Sequence, residues 1–356
     1  MKKDMIYVVY VDDTILAGPD SKALEQLITS LGIAKEEQRH TFDLRDEGEV
    51  GDFLGIRIEK AGPNKFVLTQ TGLIDKAIKT GGMIDCNPAK TPCTTTPLSK
   101  DEEGSQFAES WEYPVVVGML MYLATNSRPD IAYSVNQCAR FTHCPKHSHA
   151  MAVKRILRYL KGTATKGMII NPTNQYTLNC YADADFAGLW GVENEQDPIS
   201  VKSRTGFVLL FMGCPLLWVS KLQTQISLST MESEYIALSH SMRELIGTRE
   251  VLKEIFKYVF KNDSMSPTCI TTHKYGSIPQ STVFEDNESC LKFVNLPKMS
   301  PRTKHIAIPY HFFRSKVENL EINVEGVDTK LQLADQFTKG LPQPAFEAAR
   351  FTLMGW

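Results

Sequence analysis

Two sets of acidic residues have types and spacings that could do chemistry. Asp12 and Asp13 lie side by side in YVVYVDDTILAG, residues 7–18, between two apolar runs. Far along the chain, Asp183 lies in a strand-like run, Glu234 near the start of a helical one, Asp286 at the end of another strand-like run and Asp335 in a last helical stretch. Most Asp and Glu side chains are simply solvated, so one acid alone would carry little. Several acids converging from separate elements make a site for hard cations, which take oxygen ligands. Two such ions, roughly 4 Å apart, can clamp the attacking and leaving oxygens of a phosphodiester.

The elements that must position these acids can be read from periodicity. Ile6 to Val11 and Thr14 to Ala17 read as strands around Asp12-Asp13, and Ser21 to Gly32 as a helix with Leu24, Leu27, Ile28 and Leu31 on one face. Phe53 to Ile58 and Phe66 to Leu68 suggest a hairpin, Cys86 to Gly104 a loop, and Tyr113 to about Lys161 a helical region. Beyond Gly162 the order is β-β-β-α-β-α-α-β-α. Asp183 falls in the first of these strands and Glu234 near the start of a long helix from Thr230 to Phe260. Asp286 follows the fourth strand, and Asp335 falls in a last helix from Leu331.

A series of motifs in this second half resembles the ribonuclease H domain of copia-type LTR retrotransposons. They are Asp183-Ala184-Asp185-Phe186-Ala187-Gly188, Ser203-Arg204-Thr205-Gly206-Phe207, Trp218 to Gln223, Glu232-Ser233-Glu234-Tyr235, Asp286-Asn287, Arg302 to Ile306, Tyr310 to Arg314 and Ala334 to Lys339. The likeness runs from about Thr177 to Leu341. It implies an α/β (α+β) ribonuclease H-like fold, a mixed five-stranded sheet with flanking helices. It also implies four metal-binding acids: Asp183 with Asp185 as competitor, Glu234 with Glu232 as alternative, Asp286 and Asp335. The implied cofactor is Mg²⁺, two ions, with Mn²⁺ as a substitute. Cellular ribonucleases H carry a His before the last Asp, and Val327 to Ala334 contains none; His305 and His311 lie earlier.

Tyr10-Val11-Asp12-Asp13 resembles the catalytic hairpin of reverse transcriptases, and Phe53-Leu54-Gly55-Ile56 the segment that holds the primer. Tyr113 to Thr125, Arg128-Pro129-Asp130-Ile131-Ala132 and Leu157 to Thr163 resemble the link from polymerase to ribonuclease H. Family polymerases have another palm Asp well upstream. The chain therefore reads as truncated, with Asp12 and Asp13 as a polymerase-motif relic and no DNA synthesis expected of it alone. The implied divisions are 1–85, a partial palm; 86–165, a helical connection; and 166–356, the ribonuclease H-like domain. The first hundred residues are expected to be the less stable part, with a protease-resistant core beginning near residue 165.

Composition limits the alternatives. A net charge of −2 over 356 residues leaves no global basic field, so nucleic-acid contact must use local patches. Lys154, Arg155, Arg158 and Lys161 form one such patch, and Arg302, Lys304, Arg314 and Lys316 another. Eight cysteines without a CxxC pair, and no secretory h-region, suggest reduced thiols and an intracellular protein rather than a secreted one; the resemblance implies a cytoplasmic setting, virus-like particles included, or a nuclear one. The longest apolar run, Tyr113 to Ala124, is too short to span a bilayer, so no membrane partner is expected. Cys138, His143, Cys144, His147 and His149 are zinc-ligand types at no common zinc spacing and read as a helix-loop-helix corner. Trp218 reads as core. The partners implied are an RNA–DNA hybrid and the missing N-terminal polymerase and integrase part of a polyprotein. An inactive remnant that binds nucleic acid, and a polymerase part that needs that missing half, are the other classes that fit.

Overall fold

The computed structural model describes residues 5–18, 20–32, 46–259, 278–295 and 313–356. Among these residues three sheets are present. The hairpin β1 (Ile6–Tyr10) and β2 (Asp13–Ala17) forms a two-stranded sheet and is followed by α1 (Ser21–Gly32). A four-stranded sheet joins β3 (Asp52–Phe53), β4 (Ile56–Gly62), β5 (Lys65–Thr69) and β6 (Met168–Ile170). Between β5 and β6 lie α2 (Thr71–Thr80), α3 (Tyr113–Asn126), α4 (Ala132–Ala139) and α5 (His147–Gly162).

The helical region expected from Tyr113 to Lys161 is thus three helices. Pro129 and Pro145 explain the breaks, since proline lacks the amide that a continuing helix needs. The apolar stripe Val153, Ile156, Leu157 and Leu160 is fully buried, as its spacing predicts.

The five-stranded sheet contains β7 (Leu178–Asp185), β8 (Arg204–Phe211), β9 (Cys214–Leu222), β10 (Ser281–Glu285) and β11 (Ile322–Gly326), in the order β11-β10-β7-β8-β9. Strands β7, β8 and β9 are antiparallel, whereas β10 runs parallel to both β7 and β11. This is the mixed sheet of a ribonuclease H-like fold. Leu178, Cys180, Ala182, Phe207 and Leu209 turn one face toward α6 (Thr230–Val259) and α7 (Glu288–Val294). Tyr181, Val208, Leu210 and Trp218 turn the other toward the connection helices and the C-terminal helix.

The final helical stretch is divided. Asp335–Thr338 forms a single turn (α8), and Gln343–Met354 the last helix (α9). Asp335 therefore opens a one-turn helix instead of lying inside a long one. Pro342, next to the start of α9, separates the two.

One apolar cluster runs from Ile74 on α2, through α3, α4 and α5, to Phe337, Phe346 and Met354. Strand β6, just past residue 165, pairs with β5. A resistant core that starts near 165 would have to break both the sheet and this cluster. A buried ion pair strengthens the same junction. Arg128 meets Asp130 through two bonds of 2.9 and 2.8 Å, and Tyr159 donates to Asp130 at 2.6 Å. Arg350 reaches the Tyr159 hydroxyl at 3.2 Å, and the Trp356 indole donates to the Gly167 carbonyl at 2.9 Å. Trp218, read as core, is half-buried against the apolar cluster, and its indole donates to the Ala124 carbonyl on α3 at 2.7 Å.

Candidate metal centre

Parallel strands deliver their C-terminal ends to one edge of the sheet. Strands β7 and β10 bring Asp183 and the Glu285-Asp286 pair to the same edge, and α6 supplies Glu234 from its first turns. One oxygen each from Asp183, Glu234 and Asp286 lies within 4.8 Å of the others. Asp183 and Glu234 are 4% exposed, so they are not the solvated acids that chance would provide. The Glu234 Oε2 atom is buried without a hydrogen-bond partner, as suits a ligand oxygen awaiting a cation.

The electrostatics fit the same use. Burial and the Asp335 charge push the Asp183 carboxyl up to about 7, against Lys339 and Thr338. Burial, then the charges of Glu285, Asp183 and Asp286, hold Glu234 far above the ordinary carboxylate range. Glu285, fully buried, is likewise held well above it by burial. Packing this many carboxylates together without a counter-charge is unfavourable, and a bound divalent cation removes the penalty. The donor set is all oxygen, which suits Mg²⁺ or Mn²⁺.

Asp335 stands outside the group of three and joins it through its neighbours. Its Oδ1 is 2.7 Å from the Lys339 ammonium. Burial raises its carboxyl, while Lys339 and a hydrogen bond with Asp183 oppose the rise. Burial alone would lower the Lys339 ammonium, but Asp183, Asp335 and Asp286 outweigh it and hold it above the usual lysine value. Thr338, on the same turn, donates its hydroxyl to Asp183 Oδ2.

A glycine makes this approach possible. Gly206 on β8 is in register with Asp183. A Cβ there would lie 2.6 Å from Thr338 Cγ2, 2.8 Å from Phe337 Cβ and 3.0 Å from the Ala334 carbonyl oxygen. Gln332 also fixes the loop before α8, donating to the Ala182 carbonyl at 2.9 Å.

The two open choices divide by role. Asp183 is in the cluster, whereas the Asp185 carboxylate folds over the following turn, where a Cβ on Gly188 would strike it. Glu232 caps the helix: its Oε2 accepts from the Leu228 amide at 2.8 Å, and Ser229 Oγ accepts from the Glu232 amide at 3.2 Å. Glu234 is thus the acid that reaches the cluster.

Other residues singled out in the sequence lie elsewhere. The Asp12-Asp13 turn is closed by the pair Tyr10 and Asp13, with Val11 at φ 52°, a strained value for a β-branched residue. Among the described residues, no group of three metal-ligand types includes Asp12 or Asp13. Lys154 pairs with Glu109 at 2.6 Å and Arg158 donates to the Asn87 carbonyl at 2.7 Å. Arg155 and Lys161 likewise bond Thr91 and the Ile84 carbonyl, so the basic face of α5 ties down the loop before α3. Arg314 pairs with Glu318 at 2.6 Å. Arg302, Lys304, His305 and His311 lie outside the described residues. His149 has both ring nitrogens engaged, by the Lys146 amide at 2.9 Å and the Ser99 carbonyl at 2.8 Å, and stacks on Phe141. It therefore serves the helix corner and not a zinc ion.

Sequence reading did not single out Glu285, Thr338 or Lys339. Lys339 was signalled by its place four residues after Asp335, an ion-pair spacing in a helix, although it stands just past the end of α8. Thr338 and Glu285 carried no distinct signal.

The sheet order and its edge of buried acids define a ribonuclease H-like fold, here packed on the helices α3, α4 and α5. A family model described as reverse transcriptase (RNA-dependent DNA polymerase) matches residues 1–95. The chain is 32% identical over 346 residues to the retrovirus-related Pol polyprotein from transposon RE1 of Arabidopsis thaliana, covering 97% of this chain and 21% of that one. For the Pol polyprotein from transposon TNT 1-94 of Nicotiana tabacum, identity is 30% over 355 residues, with 97% and 24% covered. An uncharacterized mitochondrial protein of Arabidopsis thaliana, AtMg00810, is 34% identical over 242 residues, 68% of this chain and 93% of that protein. The chain belongs to the copia-type retrotransposon Pol polyprotein family, and it spans about a fifth to a quarter of the length of those two polyproteins.

Solved structures give distant likenesses. LC11-RNase H1, isolated from compost, aligns at TM-score 0.30 and 14% identity over 49% of this chain and 99% of that one. A foamy viral protease–reverse transcriptase in complex with double-stranded DNA aligns at 0.38 and 12% over 78% and 37%.

Proposed function

We propose that the chain is a divalent-cation-dependent ribonuclease H, which cleaves the RNA strand of an RNA–DNA hybrid at Asp183, Glu234, Asp286 and Asp335. The observation that carries this is the buried carboxylate group, three ligand oxygens within 4.8 Å beside Asp335 and a partnerless Glu234 oxygen. Two Mg²⁺ ions, or Mn²⁺ in their place, would supply Lewis acidity at the scissile phosphate and make a bound water a better nucleophile.

The protein's own part is positioning. Asp183, Glu234 and Asp286 converge from two strand ends and a helix, so the ligand oxygens are fixed before any cation arrives. Thr338 orients Asp183 by its hydrogen bond. Gly206 and Gln332 hold α8 against the sheet so that Asp335 faces the same point. A hybrid is gripped through backbone shape and 2′-hydroxyls, so little sequence preference is expected. The rest of the Pol polyprotein, polymerase and integrase parts included, is the proposed protein partner.

The test is cleavage of a labelled RNA strand annealed to DNA, beside the same strand alone and annealed to RNA. Metal-dependent cutting of the hybrid alone supports the proposal. Equal cutting of all three, or cutting that survives Asp286→Asn, would refute it.

The exposed hairpin supports a secondary role, as a polymerase element completed by another chain. Ile6 to Val11 are 38–81% exposed, an unusual state for a β-branched and aromatic strand.

A further inference from the structure

The metal reading leaves one charged group of the site without a task. Lys339 follows α8 directly in extended backbone, at φ −143° and ψ 160°, and folds back on the turn it ends. Its ammonium lies 2.7 Å from Asp335 Oδ1, its amide donates to the Asp335 carbonyl at 3.1 Å, and its side chain is 44% exposed. The Asp183 and Asp286 charges face the same ammonium. Among the described residues, it is the cation that ion-pairs with this carboxylate group. A lysine ammonium is a compact charge on a flexible stem, and this one has solvent into which it can swing.

We propose that Lys339 is a positioning residue: the resident counter-cation on the Asp335 side of the site, which competes there with the second divalent ion. The proposal rests on the metal reading above. The Lys339 charge holds Asp335 in place in the metal-free protein. A divalent ion at the same carboxylate must share it with a like charge a few ångströms away, or displace it. Among the described residues, no ammonium or guanidinium is in direct ion-pair contact with Asp183, Glu234 or Asp286; Asp183 and Asp286 feel the Lys339 charge only from farther off. The two ion sites are therefore unequal by construction, and the Asp335 side fills readily only when a phosphate arrives to take over the lysine.

The experiment is calorimetric titration of Mn²⁺ into the full chain without nucleic acid, comparing wild type, Lys339→Met, Lys339→Arg, Asp335→Asn and the Lys339→Met/Asp335→Asn double variant. Expected are a tighter and a weaker site in wild type, and a weaker site that tightens about tenfold in Lys339→Met, a difference of 1.4 kcal/mol. Lys339→Arg should stay near wild type, and Lys339→Met should gain nothing on the Asp335→Asn background. In EDTA, Lys339→Met should melt below wild type, and saturating Mn²⁺ should close the gap.

A lysine with a merely structural role would make cation binding weaker or leave it unchanged when lost, so either result in Lys339→Met, with wild type still binding, overturns the proposal. Wild type that binds no Mn²⁺ would overturn the metal reading itself, and the wild-type curve separates the two failures.

Discussion

Replacing Gly206 with alanine tests the packing that brings Asp335 to the sheet. The new methyl would lie 2.6, 2.8 and 3.0 Å from atoms of Thr338, Phe337 and Ala334. Carbon contacts are comfortable at about 3.5–4.0 Å, so α8 must retreat by about 1 Å. Overpacking of this kind costs about 1–3 kcal/mol. The smaller entropy of the unfolded alanine chain offsets about 0.4–1 kcal/mol of that. The net loss is then about 0–2.6 kcal/mol, a modest change in stability. The change in activity should be larger, because the displaced turn carries both Asp335 and the Thr338 hydroxyl that orients Asp183. A misplacement of about 1 Å can lower a rate about 100-fold. The assays are urea denaturation and hybrid cleavage on the same preparation. Gly247→Ala is the control: it lies in α6 with open space where its Cβ would go, and should gain about 0.5–1 kcal/mol with cleavage unchanged. If Gly206→Ala is as stable as wild type and cleaves as fast, the glycine is not there for close approach and the reasoning fails.

Other expectations follow from the same structure. Glu232→Gln should lose no more than about 1 kcal/mol of helix capping and keep cleavage. Glu234→Gln should abolish cleavage and melt no lower than wild type in EDTA, since glutamine replaces a buried acid whose ionisation the fold already opposes; equal activity of the two variants would contradict the assignment. Arg128→Met should cost about 3–5 kcal/mol in urea denaturation, because it leaves the Asp130 carboxylate buried and unpaired; a cost below about 1 kcal/mol, as for exposed pairs, would refute this. The metal-free protein should also respond to pH. Asp183 is pushed up from 3.8 to about 7 in the folded chain, so between these values the native state holds a proton that the unfolded state has released. Stability in EDTA is therefore fully present below pH 4 as far as this group is concerned, and is lost as pH rises through about 7. Thermal melts that fall with pH in EDTA but not in saturating Mg²⁺ would bear this out, and a melting point in EDTA that rises from pH 6 to 8 would contradict it.

Periodicity made much of the architecture legible. The alternation in Leu178–Asp185 and the stripe of α5 place the same residues inside that the structure buries. Asp183, Glu234 and Asp286 could be singled out because the motifs around them resemble those of the family and fall in or next to separate elements. The choice between Asp183 and Asp185 could not be read, since two residues apart on a strand they share a face; the turn at Gly188 decides it. The Tyr-Ile-Ala run that follows Glu234 favours it over Glu232, and the structure agrees: the Glu232 carboxylate is engaged at the helix start by the Leu228 amide. The basic residues of α5 looked like a phosphate-binding face because sequence does not show what packs against a helix. Their partners lie 45 to 77 residues away in the chain. The joint between the connection and the sheet was hidden for the same reason. Tyr159 and Arg350 meet across 191 positions, a separation no local pattern reports.

The most direct test of the central claim is a comparison of hybrid cleavage by wild type and by Asp183→Asn, Glu234→Gln, Asp286→Asn and Asp335→Asn, each shown to be folded by its melting curve. Wild-type cutting that requires Mg²⁺ or Mn²⁺, leaves a 3′-hydroxyl, and is lost in all four variants is the result predicted. A folded wild type that does not cut the hybrid, or a variant of Asp183, Glu234 or Asp286 that cuts as well as wild type, would contradict the account.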